Sequence, residues 1–253
     1  MPYDVKNPPK HIQSPPHVGC WRSHANVWSH IISSGISSAL ILEDDADFSV
    51  GVRDILEGVS TQLQEMLGNR ESYGLADGNS WDILGVGHCH HRLPNPRTNP
   101  KAASMFRSWV DPYAPERVHL AERFLPDAES NRVRVLAPAR EMRCTHAYAV
   151  TREGAMRLLY NIGSPRYILD REVDWVLQSL LIDGLLKAYV TIPTIFGQWG
   201  YGDWRASDVQ SGFLKNVGSS PDIVLSVRTE LAKALGVRNV WEEYERDETE
   251  TNI

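Results

Sequence analysis

The sequence predicts an α/β layered fold with a mostly parallel central sheet. Three observations carry the prediction. Short apolar runs of strand length end at acids, glycines or prolines; amphipathic helical periods lie between them; and the two alternate along the chain.

Taken in order, residues 1–18 hold Pro2, Pro8, Pro9, Pro15 and Pro16 among polar neighbours and read as an extended arm. Val27, Trp28 and Ile31 predict a helix over Cys20 to Ile32, stopped at Ser33-Ser34-Gly35. Ala39-Leu40-Ile41-Leu42 is a buried strand that runs into acids. Val52, Ile55, Leu56, Val59, Leu63, Met66 and Leu67 form the apolar stripe of a second helix. Trp81 to Val86 is another short strand. From Gly87 to about Pro126 the chain carries Pro94, Pro96, Pro100, Pro112 and Pro115 with little periodicity, and reads as a long irregular segment. Val133 to Leu136 and Ala147 to Val150 are strand-like. Thr151 caps a helix containing Met156, Leu158, Leu159 and Ile162. Val173 to Leu186 is a helix that Gly184 can close early, and Lys187 to Ile192 is a strand ending at Pro193. Ser220-Pro221 reads as a helix start and Gly236 as its stop. The tail from Trp241 is acidic and frayed.

Composition excludes several functions. The chain has 253 residues, 42% of them hydrophobic, which is too apolar for a disordered chain. Lys+Arg number 26 and Asp+Glu 32, a net charge of −6, so nothing electrostatic favours nucleic acid or an anionic membrane. No apolar run reaches the roughly 18 residues of a membrane span. The first residues lack an apolar leader, which at face value reads as cytoplasmic; an incomplete N-terminus would leave the secretory pathway equally open. Cys20, Cys89 and Cys144 are odd in number and far apart, and read as three reduced thiols. His88, His90 and His91 alternate direction along the chain and read as loop histidines rather than a zinc site. Neither a nucleophile elbow nor a P-loop is present.

The most informative stretch is Leu42-Glu43-Asp44-Asp45-Ala46-Asp47. A strand delivers four carboxylates within five residues to its C-terminal end, where α/β sheets bind ligands. Carboxylates so close repel one another and stay ionised most easily around a divalent cation; oxygen ligands favour Mg²⁺ or Mn²⁺. A solvated acidic turn leading into a helix is the competing reading. An EF-hand fails by count, because Val50 and Leu56 stand where its glycine and glutamate belong.

Gly19-Cys20-Trp21-Arg22-Ser23-His24, a helix, and then Leu42-Glu43-Asp44-Asp45 resemble the central block of glycosyltransferase family 25. That family includes lipooligosaccharide and collagen β-galactosyltransferases. Trp81-Asp82-Ile83-Leu84, Cys144-Thr145-His146-Ala147-Tyr148-Ala149-Val150-Thr151, Val173-Asp174, Gln198 and Ser207-Asp208 resemble its later segments.

The resemblance implies a GT-A-like nucleotide-sugar transferase fold and a uridine diphosphate hexose donor, with galactose foremost. It also implies Mn²⁺ or Mg²⁺ on a DxD-like motif, and inverting transfer to a glycan or protein acceptor. By carry-over, Glu43 and Asp45 hold the metal, with Asp47 as an extra acid. Asp44, His24 and Gln198 lie on the nucleotide side, although a helical His24 is also explained by a buried polar contact. Asp174 is the candidate general base, with Asp170 its neighbour and a helix cap the competing role for Asp174. Trp199, Tyr201 and Trp204 are either an acceptor-binding loop or exposed structural aromatics at a domain edge.

One departure matters. Family members open with a hydrophobic strand and a basic stretch, so the fold is expected to be N-terminally incomplete, with an exposed sheet edge. The alternative function is therefore a catalytically inactive, truncated glycosyltransferase-like binding protein. The expected organisation is an arm over 1–18, a family-25-like domain over 19–212, and a C-terminal helix with acidic tail over 213–253.

Overall fold

The computed structural model describes residues 15–68, 81–95, 98–162, 172–201 and 217–234. The chain opens with α1 (Pro15–Ser33), β1 (Ser38–Leu42), β2 (Ala46–Phe48), α2 (Val52–Leu67) and β3 (Ile83–Gly87). Next come β4 (His90–Arg92), α3 (Pro100–Ala103), β5 (Arg107–Val110), α4 (Val118–Phe124), β6 (Val133–Ala139) and β7 (Glu141–Arg143). The remainder is β8 (Ala147–Thr151), α5 (Arg152–Ile162), α6 (Val173–Ile182), β9 (Ala188–Ile192), β10 (Phe196–Gln198), β11 (Gly200–Tyr201), β12 (Val217–Gly218) and α7 (Val227–Ala234).

The main sheet has six strands in the order β1-β8-β3-β9-β6-β5. The expectation of a mostly parallel sheet is overturned. Only β3 and β9 pair in parallel; the other four pairings are antiparallel. Helix and strand do alternate early in the chain, and β1 and β3 do point the same way. They are not neighbours, however, because β8 arrives about sixty residues later and inserts between them in the opposite sense. Local periodicity carries no information about such an insertion.

Two apolar layers cover the sheet, and the strand period of two separates them. Ile83 and Val150 face a layer with Trp28, Ile31, Leu158 and Leu180, while Leu84 and Ala149 face Ile55, Val59 and Leu63. Those last three lie at four-residue spacing on one side of α2. Each such side chain contributes roughly 1.5–3 kcal/mol when buried. The Thr151 cap forms as expected, its hydroxyl oxygen accepting the Gly154 N–H at 3.0 Å. Gly154 is required there, since a Cβ would stand 2.4 Å from the Asp82 carbonyl oxygen. β1 forms where expected but is not the buried strand predicted: it lies at one edge of the sheet, with Leu40 and Leu42 exposed and Ile41 alone buried.

Several boundaries move. α1 starts at Pro15, so the last four residues of the expected arm are helix; proline suits a first turn because its missing N–H would have had no intrahelical partner. Two strands and two short helices occupy the segment expected to be irregular, and β5 adds a strand to the sheet edge. Gly184, at φ 71°, does end α6 early. Ser220-Pro221 forms a turn, and the helix begins only at Val227. The three thiols are not all reduced, because Cys89 and Cys144 form a disulfide and only Cys20 is free. Residues 1–14, Tyr201's side chain, Trp204, Ser207-Asp208, Gly236 and the acidic tail lie outside what is described.

Residues 217–228 are stitched to the turn after β1. Ser219 Oγ donates to Asp47 Oδ2 at 2.5 Å, Val50 N–H to the Leu225 carbonyl at 2.9 Å, and Arg228 to the carbonyls of Asp44 and Ala46 at 2.8 and 3.2 Å.

His88 follows β3 and is buried, its Nε2–H donating to the Thr191 carbonyl at 3.0 Å. Burial first, and His91 second, push its pKa down to about 3. A histidine kept neutral in the fold but protonated in the unfolded chain costs stability as pH falls through its ordinary value near 6.5. The loss continues until the folded value is reached. Going from pH 7 to 5 is expected to cost about 2 kcal/mol through His88 alone. Thermal melts of the chain and of His88→Gln across that interval check this: the variant's profile should be flatter, and equal slopes would refute it.

Candidate functional site

Antiparallel pairing of β1 with β8 builds the site. Leu42 stands opposite Ala147, so the acidic turn leaving β1 meets the residues entering β8. The Glu43 N–H donates to the His146 carbonyl at 2.8 Å, one rung beyond the strands. The first turns of α1 and α6 close over the same end. The result is a cleft of about 110 Å³, lined by His17 and Cys20 from α1, Glu43, Thr145 and His146 from the sheet end, Glu172 and Asp174 from α6, and Gln198 from β10.

Glu43 is held firmly. Thr145 Oγ1 donates to its Oε1 at 2.5 Å, and His24 Nε2 approaches the same oxygen at 3.5 Å. His24 itself is fixed by Tyr148, whose hydroxyl is 2.8 Å from Nδ1 and accepts the Trp28 indole N–H at 2.9 Å. With Trp28 donating, the Tyr148 hydrogen can go to Nδ1, which leaves Nε2–H for Glu43. Burial works to raise the Glu43 pKa, but the bonds from His24 and Thr145 outweigh it and hold the carboxylate below its ordinary range.

Asp45 is the opposite case. Gln198 Nε2 donates to Oδ2 at 2.6 Å, while Oδ1 is buried with no hydrogen-bond partner. Burial, with Glu43 nearby, raises its pKa despite the Gln198 bond. A buried carboxylate oxygen without a partner costs roughly 1–3 kcal/mol or more, so it is the atom most in need of a ligand. Its hard oxygen character suits a divalent cation. Among the described residues no three His, Cys, Asp or Glu side chains converge on one ion, so a cation here would complete its shell with substrate oxygens.

Sequence reading placed Glu43 and Asp45 together; Glu43 lines the cleft, whereas Asp45 does not and reaches it only through its bond to the lining Gln198. Asp47 does not line the cleft; it is fully buried in β2, opposite Gly197, and held by Ser219. Asp44 is exposed, and the described contact there is its backbone carbonyl with Arg228. Asp174 lines the cleft. Its Oδ2 accepts the Cys144 N–H at 3.1 Å and its Oδ1 the Trp175 N–H at 2.8 Å; it does not cap α6, whose N-cap position is Glu172. Asp170 is outside the described residues. Trp199 is buried, unlike the exposed edge aromatic that the structural reading expects.

His146 went unnoticed as a site residue. It is buried among Glu43, Asp45 and Asp174, and burial lowers its pKa against the pull of all three. Cys20 was also missed, and burial, Glu43 and Asp174 push its thiol up to about 11. Only the strand pairing, invisible in the local sequence, could have flagged them. Among the described residues no lysine or arginine lines the cleft.

Residues 7–82 match the model of glycosyltransferase family 25 (LPS biosynthesis protein). Procollagen galactosyltransferase 1 of Danio rerio is similar, at 29% identity over 79 residues, which is 31% of this chain. The match spans 11% of that relative's length. Glu43, Asp45 and His24 fall inside the matched segment, and Thr145, His146, Asp174 and Gln198 fall outside it. Through residues 7–82, about a third of its length, the chain is similar to glycosyltransferase family 25.

Proposed function

We propose that the protein is a glycosyltransferase that moves a hexose, galactose in the first instance, from a uridine diphosphate sugar to a hydroxyl of a glycan or protein acceptor. The reading includes a GT-A-like fold, inverting transfer, and Mn²⁺ or Mg²⁺ as helper. The observation that carries it is the acidic turn at the cleft: Glu43 lines it, Asp45 is bonded to the lining Gln198 and keeps an unpartnered buried oxygen, and among the described residues no lysine or arginine lines it. A diphosphate entering this cleft faces the carboxylates of Glu43, Glu172 and Asp174, and a cation brought with it would offset that repulsion.

Asp45 would hold that cation, with Glu43 alongside. When bound, the ion supplies charge neutralisation for the departing diphosphate. The chain's own residues do the positioning. Gln198 fixes Asp45; Thr145 and His24 fix Glu43, so the carboxylates cost little reorganisation when charge develops. Asp174 faces the same cleft as candidate base. The two backbone N–H bonds orient it, and each oxygen keeps a lone pair for an acceptor proton. The disulfide suits an oxidising compartment.

A non-catalytic binding role is the second reading, favoured by the backbone N–H groups that both Asp174 oxygens already accept. A donor screen separates the two. Release of free uridine diphosphate that depends on added Mn²⁺ or Mg²⁺ supports transfer, whereas nucleotide-sugar binding without release at any metal concentration supports the binding role.

A further inference from the structure

The disulfide closes a ladder beside the cleft. β4 pairs antiparallel with β7, and Cys89 N–H donates to the Arg143 carbonyl at 3.2 Å; Cys89–Cys144 is the next link. Cys144 sits at φ 63°, a left-handed conformation that is uncommon for a residue with a side chain and persists only where its surroundings hold it. The three residues from this point set the cleft's acids. The Cys144 N–H holds Asp174, the Thr145 hydroxyl holds Glu43, and the His146 carbonyl receives the Glu43 N–H. The sheet does not need the bridge, because β8 is paired along its length with β1 and β3 and both apolar layers form without either cysteine.

We propose that the Cys89–Cys144 disulfide is the positioning device of the cleft. Closed, it fixes residues 144–146 against α6 and the acidic turn. Opened, it frees Asp174 and Glu43 while the sheet stays folded, so ligand binding follows the redox state of the surroundings. The inference rests on the cleft being the functional site. Cys89 is exposed and Cys144 is half-buried. A thiolate of a dithiol attacks the Cys89 sulfur and expels the Cys144 thiolate; the second thiol then displaces Cys89. Two electrons pass from the dithiol, which leaves as its cyclic disulfide, and both cysteines end as thiols. Cys20 is a poor competitor in this exchange, because its raised pKa keeps it protonated.

Alkylation followed by mass measurement, and amide hydrogen exchange with and without dithiothreitol, test the proposal on the full chain. One alkylated thiol is expected before reduction and three after. On reduction the Cys144 and Trp175 amides should exchange about 10-fold faster or more, while β8 and β9 amides change less than about twofold; reoxidation should restore protection. Cys89→Ser should reproduce the reduced pattern without reductant. Three reactive thiols before reduction, unchanged exchange at residues 144 and 175, general loss of protection across β8 and β9, or a Cys89→Ser chain that does not fold would each overturn it. A chain that gives the expected exchange pattern but never releases uridine diphosphate removes the transferase reading and leaves this one standing.

Discussion

Replacing Arg134 with Met is expected to destabilise the protein by about 3–5 kcal/mol, read as a lowered urea midpoint at unchanged slope. Arg134 lies in β6, opposite Trp109 of β5, and is 1% exposed. Its Nε donates to Asp111 Oδ2 at 2.5 Å and one terminal nitrogen donates to the Pro193 carbonyl at 2.6 Å. Burial pulls the guanidinium pKa down, and Asp111 pulls it back up. Asp111 is itself 4% exposed. Removing one partner leaves that carboxylate in the interior with only the Tyr113 N–H to satisfy it, and the cost comes from the stranded charge more than from the lost bond. The double variant Arg134→Met with Asp111→Leu should therefore recover most of the stability. A single-variant cost below about 1 kcal/mol, or a double variant no better than the single, would refute the argument.

Asp45→Asn is expected to lower metal-dependent release of uridine diphosphate by about 100-fold or more. The substitution keeps volume and still offers Gln198 an acceptor, so it removes charge and little else. Burial and Glu43 already disfavour the charged form of Asp45. The ion-free protein should consequently melt no lower, and by this reasoning slightly higher, as the Asn variant. What disappears is the rise in melting temperature on adding Mn²⁺ with uridine diphosphate. Asp47→Asn makes a contrasting control: it disturbs a buried bond to Ser219 and lowers stability, but leaves the ligand-induced rise intact in the folded fraction. Equal ligand-induced rises in the native and Asp45→Asn chains would contradict the assignment.

What the sequence made legible was local. β1 and its acids, the apolar face of α2 and the Thr151 cap each depend on residues within a few positions of one another, and all appear where expected. The sheet's direction did not, because it depends on where β8 inserts. The site divides along the same line. Glu43 and Asp45 were visible as a motif, but Thr145 and His146 join them through a register that spans some hundred residues. Cys89 and Cys144, 55 positions apart, meet because β4 pairs with β7, two three-residue strands with no apolar alternation to announce them. Ser220-Pro221 carried a good helix-start signal, and the chain spends it on a turn that brings Ser219 and Arg228 onto the acidic segment.

That last contact sets how far the polypeptide can be trimmed. Arg228 braces the carbonyls of Asp44 and Ala46 from a helix that follows the main sheet by some thirty residues. Cutting at residue 212 would spare every strand of the main sheet, yet it would take away the strut beneath the carboxylate turn. A minimal version of this protein has to run through α7.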